Sequence, residues 1–117
     1  MKEKAKNHFL GLNGYKRLNC AMAVAEAFHE KYPLDSKHLE QLKSCGGGRA
    51  PAGICGSIFA AKVIMDQYLP GKSGQVLSEF ASIAGSVKCG EIRRSKKLSC
   101  VRCVELSAEH LLSVLPR

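Results

Sequence analysis

Residues 15–32 read Tyr15-Lys16-Arg17-Leu18-Asn19-Cys20-Ala21-Met22-Ala23-Val24-Ala25-Glu26-Ala27-Phe28-His29-Glu30-Lys31-Tyr32, and this stretch decides the fold. Leu18, Ala21, Met22, Ala25 and Phe28 recur at the three- and four-residue steps of one helical face, while Cys20, Val24 and Ala27 form a second apolar face. A helix that is apolar on most sides is buried on most sides, so it is expected at the centre of the molecule. Pro33 stops it, because proline has no amide hydrogen to continue the ladder. No run in the chain alternates with the period of two that marks a half-buried strand. The expected fold class is therefore all-α, a single-domain bundle of about five helices.

Working outward, Asp35 or Ser36 can cap a short second helix that runs to about Ser44. Gly46-Gly47-Gly48 breaks the pattern, and a third helix is expected from near Cys55 to about Leu69. After the turn at Pro70–Gly74, Val76, Leu77, Phe80, Ala84 and Val87 mark the inner face of a fourth helix, with its end expected near Cys89-Gly90. Ser99 caps a last helix whose Val101, Val104, Ala108, Leu111, Leu112 and Leu115 share a face, and Pro116 closes it. Residues 1–14 read as an N-terminal extension and 15–115 as the cysteine-containing core. With 117 residues, 45% of them hydrophobic, the chain has material for one core.

Lys62 and Asp66 interrupt the longest apolar run, so no membrane span is expected. The N-terminus through His8 is too charged, and the following segment too broken by Gly11 and Gly14, for a signal peptide, which makes the cytoplasm the expected location. The 18 Lys and Arg outweigh 10 Asp and Glu, a net charge of +8. Lys88, Arg93, Arg94, Lys96, Lys97 and Arg102 crowd the segment that also holds Cys89, Cys100 and Cys103. Such a charge attracts anions and acidic partners. Nucleic acid is not the expected partner, since no aromatic residue interleaves with the basic run.

The chain carries six cysteines, Cys20, Cys45, Cys55, Cys89, Cys100 and Cys103. In a reducing compartment, clustered cysteines are more often redox groups or metal ligands than structural staples. Cys55 near the start of the third helix and Cys100 in the first turn of the last meet the positive end of a helix dipole, which favours thiolate. Cys89 falls at the expected end of the fourth helix. Cys100-Val101-Arg102-Cys103 is a CxxC whose second thiol can resolve a disulfide made by the first. Cys20, mid-helix among alanines, and Cys45 are read as readily as packing residues. The expected catalytic thiols are Cys55 as nucleophile and Cys100 or Cys103 as resolver.

Asn19-Cys20-Ala21, Gly53-Ile54-Cys55-Gly56 preceded by the glycine run, Cys89-Gly90-Glu91-Ile92, and Cys100 followed by Val104 and Ala108-Glu109 together resemble the C_GCAxxG_C_C family of redox-active proteins. The resemblance spans about residues 15–115. It implies a small helical protein whose Cys20, Cys55, Cys89 and Cys100 act together in redox chemistry or hold a metal centre. Ser57 and Ala60 depart from the family's Cys-Gly-Ala-x-x-Gly, and Cys45 and Cys103 are additional. Four thiolates suit zinc or an iron–sulfur cluster and not magnesium or calcium. Iron–sulfur is the preferred metal expectation, with local Arg and Lys offsetting the charge of the thiolates.

The glycine run lacks the strand and the Gly-Lys-Ser/Thr of a phosphate-binding loop. It reads as a turn that lets backbone pass close to Cys55. His8, His29, His38 and His110 show no ligand spacing, and His110 reads as an exposed helix residue. No hydrolase triad, carboxylate pair or HExxH occurs. The functional expectation is a cytosolic redox protein working with a redox partner protein. The alternative is a helical adaptor that binds an acidic partner through residues 88–102.

Overall fold

The computed structural model describes residues 2–46 and 49–115. Gly47 and Gly48 of the expected turn, and Pro116, the expected stop of the last helix, lie outside the described residues. The described residues form seven α-helices: α1 (Lys2–Leu10), α2 (Cys20–Phe28), α3 (Ser36–Lys43), α4 (Gly56–Tyr68), α5 (Ser73–Ala84), α6 (Cys89–Ser95) and α7 (Cys100–Val114). A 3-10 turn at Pro51–Gly53 precedes α4. All-α holds, while the expectation of about five helices is corrected to seven among the described residues.

The central element is α2, as its two apolar faces require. It packs against α1, α3, α4 and α7, with Ala21, Ala23, Val24, Ala27 and Phe28 in the core. Its alanines allow close helix approach, and Phe28 supplies the bulk. Burying a side chain of that size stabilises by about 1.5–3 kcal/mol. The helix is shorter than the apolar pattern. Asn19 is its N-cap, accepting from the Met22 amide at 2.7 Å. Cys20 is consequently the first residue of the helix and not a mid-helix one.

Two caps lie where the sequence places them. The Asp35 carboxylate accepts from the His38 amide at 2.9 Å, and the Ser99 hydroxyl accepts from the Arg102 amide at 3.2 Å. Two expectations are corrected. The fourth predicted helix does not run on to Cys89: Gly85 takes φ 87° and ends α5, and Cys89 starts a helix of its own instead of closing one. Arg93 and Arg94 of the basic segment lie in that added helix, α6. Residues 1–14, read as an extension, hold α1, which packs on α2 and α7 through buried Ala5 and through a 3.0 Å Lys2–Glu109 ion pair.

Candidate functional site

Four cysteines occupy the start of four different helices. Cys20, Cys89 and Cys100 are the first residues of α2, α6 and α7, and Cys55 is the N-cap of α4. Backbone pairing brings these starts together. The Cys55 amide donates to the Val87 carbonyl at 2.7 Å, and Ile54 bridges Lys88 in antiparallel fashion, so the segments leading into α4 and α6 lie side by side. Gly56 permits the approach of α2: a Cβ there would lie 2.6 Å from the Cys20 sulfur and 2.7 Å from the Cys45 carbonyl oxygen. Asn19 ties the same corner to α3 by donating to the carbonyls of Leu42 at 3.2 Å and Lys43 at 2.9 Å.

The result is a chamber of about 120 Å³ whose walls include Cys20, Cys55, Cys89, Cys100 and Cys103, with Phe9, Ile92 and Leu98 as apolar lining. The structure thus brings together the four cysteines of the family resemblance and adds Cys103. Cys45 is not in the wall. It is buried, its thiol donates to the Gln41 carbonyl at 3.1 Å, and burial pushes its pKa up, so it acts as a packing residue.

Inside the chamber the thiols are unequal. Cys55 and Cys103 are 6% and 2% exposed, while Cys100 is exposed and Cys20 and Cys89 are half-buried. The neighbouring Cys103 thiol is the largest influence on Cys55, lowering its pKa from an ordinary 9.0 to about 6 against the opposing effect of burial. The Ser57 hydroxyl, 3.1 Å from the sulfur, and the amides of Ile58 and Ser57 hold the same thiolate. Ser107 donates to Ser57 at 3.1 Å, which leaves the Ser57 proton for sulfur. Both serines are fully buried, so this hydroxyl chain is shielded from competing water.

Cys103 is the other half of the pair. The neighbouring Cys55 sulfur, then burial, then the charge on Cys55 push its pKa up, so it keeps its proton. One proton shared by two buried sulfurs avoids a second buried charge. Burial also raises the pKa of Cys89, while Arg93 opposes the shift. The Arg93 guanidinium reaches the Cys100 sulfur at 3.8 Å and is itself held protonated by Cys100 and Cys89.

Sequence reasoning missed two participants. Ser57 and Ser107 carried no motif, although Ser57 stands two residues after Cys55 where the resembled family has alanine. Arg93 is legible in the sequence only as one of the basic residues that offset thiolate charge. His110, expected to be exposed, is instead mostly covered and lies 3.5 Å from Glu79, away from the thiols.

An iron–sulfur cluster or zinc would draw on Cys20, Cys55, Cys89 and Cys100. Their chemistry suits such a centre, since thiolates are soft donors. Their arrangement does not: among the described residues, no three Cys, His, Asp or Glu side chains are grouped so as to hold a metal ion. The thiolate in the chamber is instead matched to a proton on Cys103 and to hydroxyl and amide donors. Among the described residues, no helix is long and apolar enough to cross a membrane. No family model, curated protein or solved structure matches the chain.

Proposed function

We propose that this protein carries out thiol–disulfide exchange, with Cys55 as nucleophile and Cys103 as resolving thiol. The carrying observation is that Cys55 and Cys103, both buried, line one chamber, where their interaction holds the Cys55 pKa down and pushes the Cys103 pKa up. This matches the requirements of the two half-reactions. The attacking sulfur must be a thiolate near neutral pH, and its neighbour must first retain a proton and then become a thiolate itself.

The Cys55 sulfur attacks one sulfur of an incoming disulfide, forming a mixed disulfide and expelling a thiolate. That thiolate takes the proton of Cys103, which no longer has a negative neighbour to share it with. Cys103 then attacks the Cys55 sulfur and expels the second thiolate, which is protonated from solvent. The pair loses two electrons and the substrate disulfide gains them. Donors from Ser57, Ile58 and Ser57's own hydroxyl stabilise the reduced form, which makes the couple more oxidising.

The test is equilibration in glutathione buffers of graded potential, followed by acid quench and peptide mapping. A reversible two-electron Cys55–Cys103 disulfide is the expected product, absent in Cys55→Ser and Cys103→Ser. If none forms at any potential while Cys20, Cys89 or Cys100 oxidise, the proposal fails.

A second reading is that residues 88–102 bind an acidic partner. It is favoured by the exposure of Lys88, Arg93, Arg94, Lys96 and Lys97 along one segment. Arg102 does not join that surface, being turned to Glu105 at 3.8 Å and Glu109 at 3.3 Å. Partner binding that survives replacement of Cys55 and Cys103 would support this reading.

A further inference from the structure

Next to the thiol chamber lies a second concavity of about 340 Å³, lined by Arg93, Lys96, Leu98, Ser99 and Cys100. Arg93, Leu98 and Cys100 line both spaces, so the groove and the chamber are continuous. The groove is exposed and basic, whereas the chamber behind it is mainly sulfur and hydrocarbon. Its size is that of a small-molecule site. Its two cations come from the last turn and the end of α6: Arg93 lies within the helix and Lys96 is its left-handed cap, at φ 55°. Among the described residues, no acidic side chain lines this groove.

We propose that the groove binds a low-mass disulfide bearing carboxylates and delivers its sulfur–sulfur bond past Cys100 to the chamber. The proposal rests on the thiol-exchange reading and adds the chemical class of its substrate. Arg93 suits the role because its planar guanidinium has five N–H donors, of which one nitrogen faces Cys100, leaving others to grip a carboxylate in parallel. Lys96 supplies a second positive charge at the outer end. The Ser99 oxygen accepts from the Arg102 amide, and its hydroxyl proton remains a donor for the same anion.

The chemistry balances with such a substrate. The Cys55–Cys103 pair, holding one proton, reacts with one disulfide and one proton from solvent to give one internal disulfide and two small thiols. The thiolate expelled first emerges beside Arg93, whose charge stabilises a leaving group that is more acidic as a result.

Three probes that differ in charge test the inference: glutathione disulfide, which is anionic, bis(2-hydroxyethyl) disulfide, which is neutral, and cystamine, which is cationic. The rate of formation of the Cys55–Cys103 disulfide is measured for each. The expected order is anionic, neutral, cationic. In Arg93→Gln/Lys96→Gln the rate ratio of the anionic to the neutral probe falls about tenfold. In Lys31→Gln/Lys37→Gln, which removes the same net charge at exposed sites elsewhere, the ratio stays within about twofold. Taking a ratio removes any general effect of Arg93 on thiol reactivity.

Equal ratios in the parent and the groove variant overturn the groove assignment while leaving thiol exchange intact. So does inert glutathione disulfide beside a reactive protein disulfide with acidic flanks. If no probe of any charge oxidises the pair, both the exchange reading and the groove assignment fail.

Discussion

Replacing Cys103 by alanine removes the neighbour that contributes most to holding Cys55 as thiolate. A hydrogen bond to a charged group is worth about 1.5–3 kcal/mol, and about 1.4 kcal/mol corresponds to one pKa unit. The Cys55 midpoint should therefore rise from about 6 in the parent to roughly 7–8 in Cys103→Ala. The donors from Ser57 and Ile58 keep it below an ordinary thiol. Cys103→Ser is the informative control, because a hydroxyl at that position can still donate and should leave the midpoint within about half a unit of the parent. The assay is the rate of Cys55 carbamidomethylation by iodoacetamide from pH 4 to 10, read by peptide mapping so that the other thiols do not interfere. Intrinsic nucleophilicity rises with pKa, so the Cys103→Ala profile should cross the parental one, slower below about pH 7 and faster above about pH 9. If Cys55 titrates near 9 in the parent, or if alanine and serine at 103 give the same midpoint, the shared-proton account is wrong.

Four further outcomes follow from the same geometry. Ser57→Ala should raise the Cys55 midpoint by about one unit and make the Cys55–Cys103 couple more reducing by about 30 mV, read in glutathione buffers. Between pH 6 and 9 the folded pair holds one proton and the unfolded chain two, so stability rises with pH by up to about 4 kcal/mol. Above pH 9 the unfolded chain loses both protons while Cys103 keeps its own, and stability declines; urea titrations of the parent and Cys55→Ser under reducing conditions give the difference. Gly56→Ala should destabilise by about 1–3 kcal/mol in urea despite alanine's better helix propensity, because one of the atoms its Cβ meets is backbone; a more stable variant would contradict the packing described. Cys45→Ala should cost roughly 1–2 kcal/mol of stability yet leave the rate of Cys55–Cys103 disulfide formation within about twofold.

The legible parts of this protein are those decided within a few residues. The caps at Asp35 and Ser99 follow from a side-chain oxygen reaching an amide three residues on, and both are present. The end of α5 was also local but was overlooked: the apolar pattern continues to Val87, yet Gly85 in a left-handed conformation stops the helix first. That stop frees Cys89 to begin α6. Helix α1 escaped the sequence reading because its three lysines, Lys2, Lys4 and Lys6, with Glu3 among them, leave little apolar face; Ala5 and the Lys2–Glu109 contact anchor it, and the partner for each is on another helix.

From the order of residues alone came the helical class, the central place of α2, and the suspicion that sulfur carries the chemistry, because periodicity, capping and residue type are local properties. The meeting of Cys55 with Cys103 and the hydroxyl chain from Ser107 through Ser57 were decided by tertiary structure. So was the placement of Arg93 between chamber and groove. A proton can be shared, and a thiolate stabilised, only by groups within a few ångströms, and the packing of α4 against α7, with the backbone pairing that lays the start of α6 beside the start of α4, sets those separations.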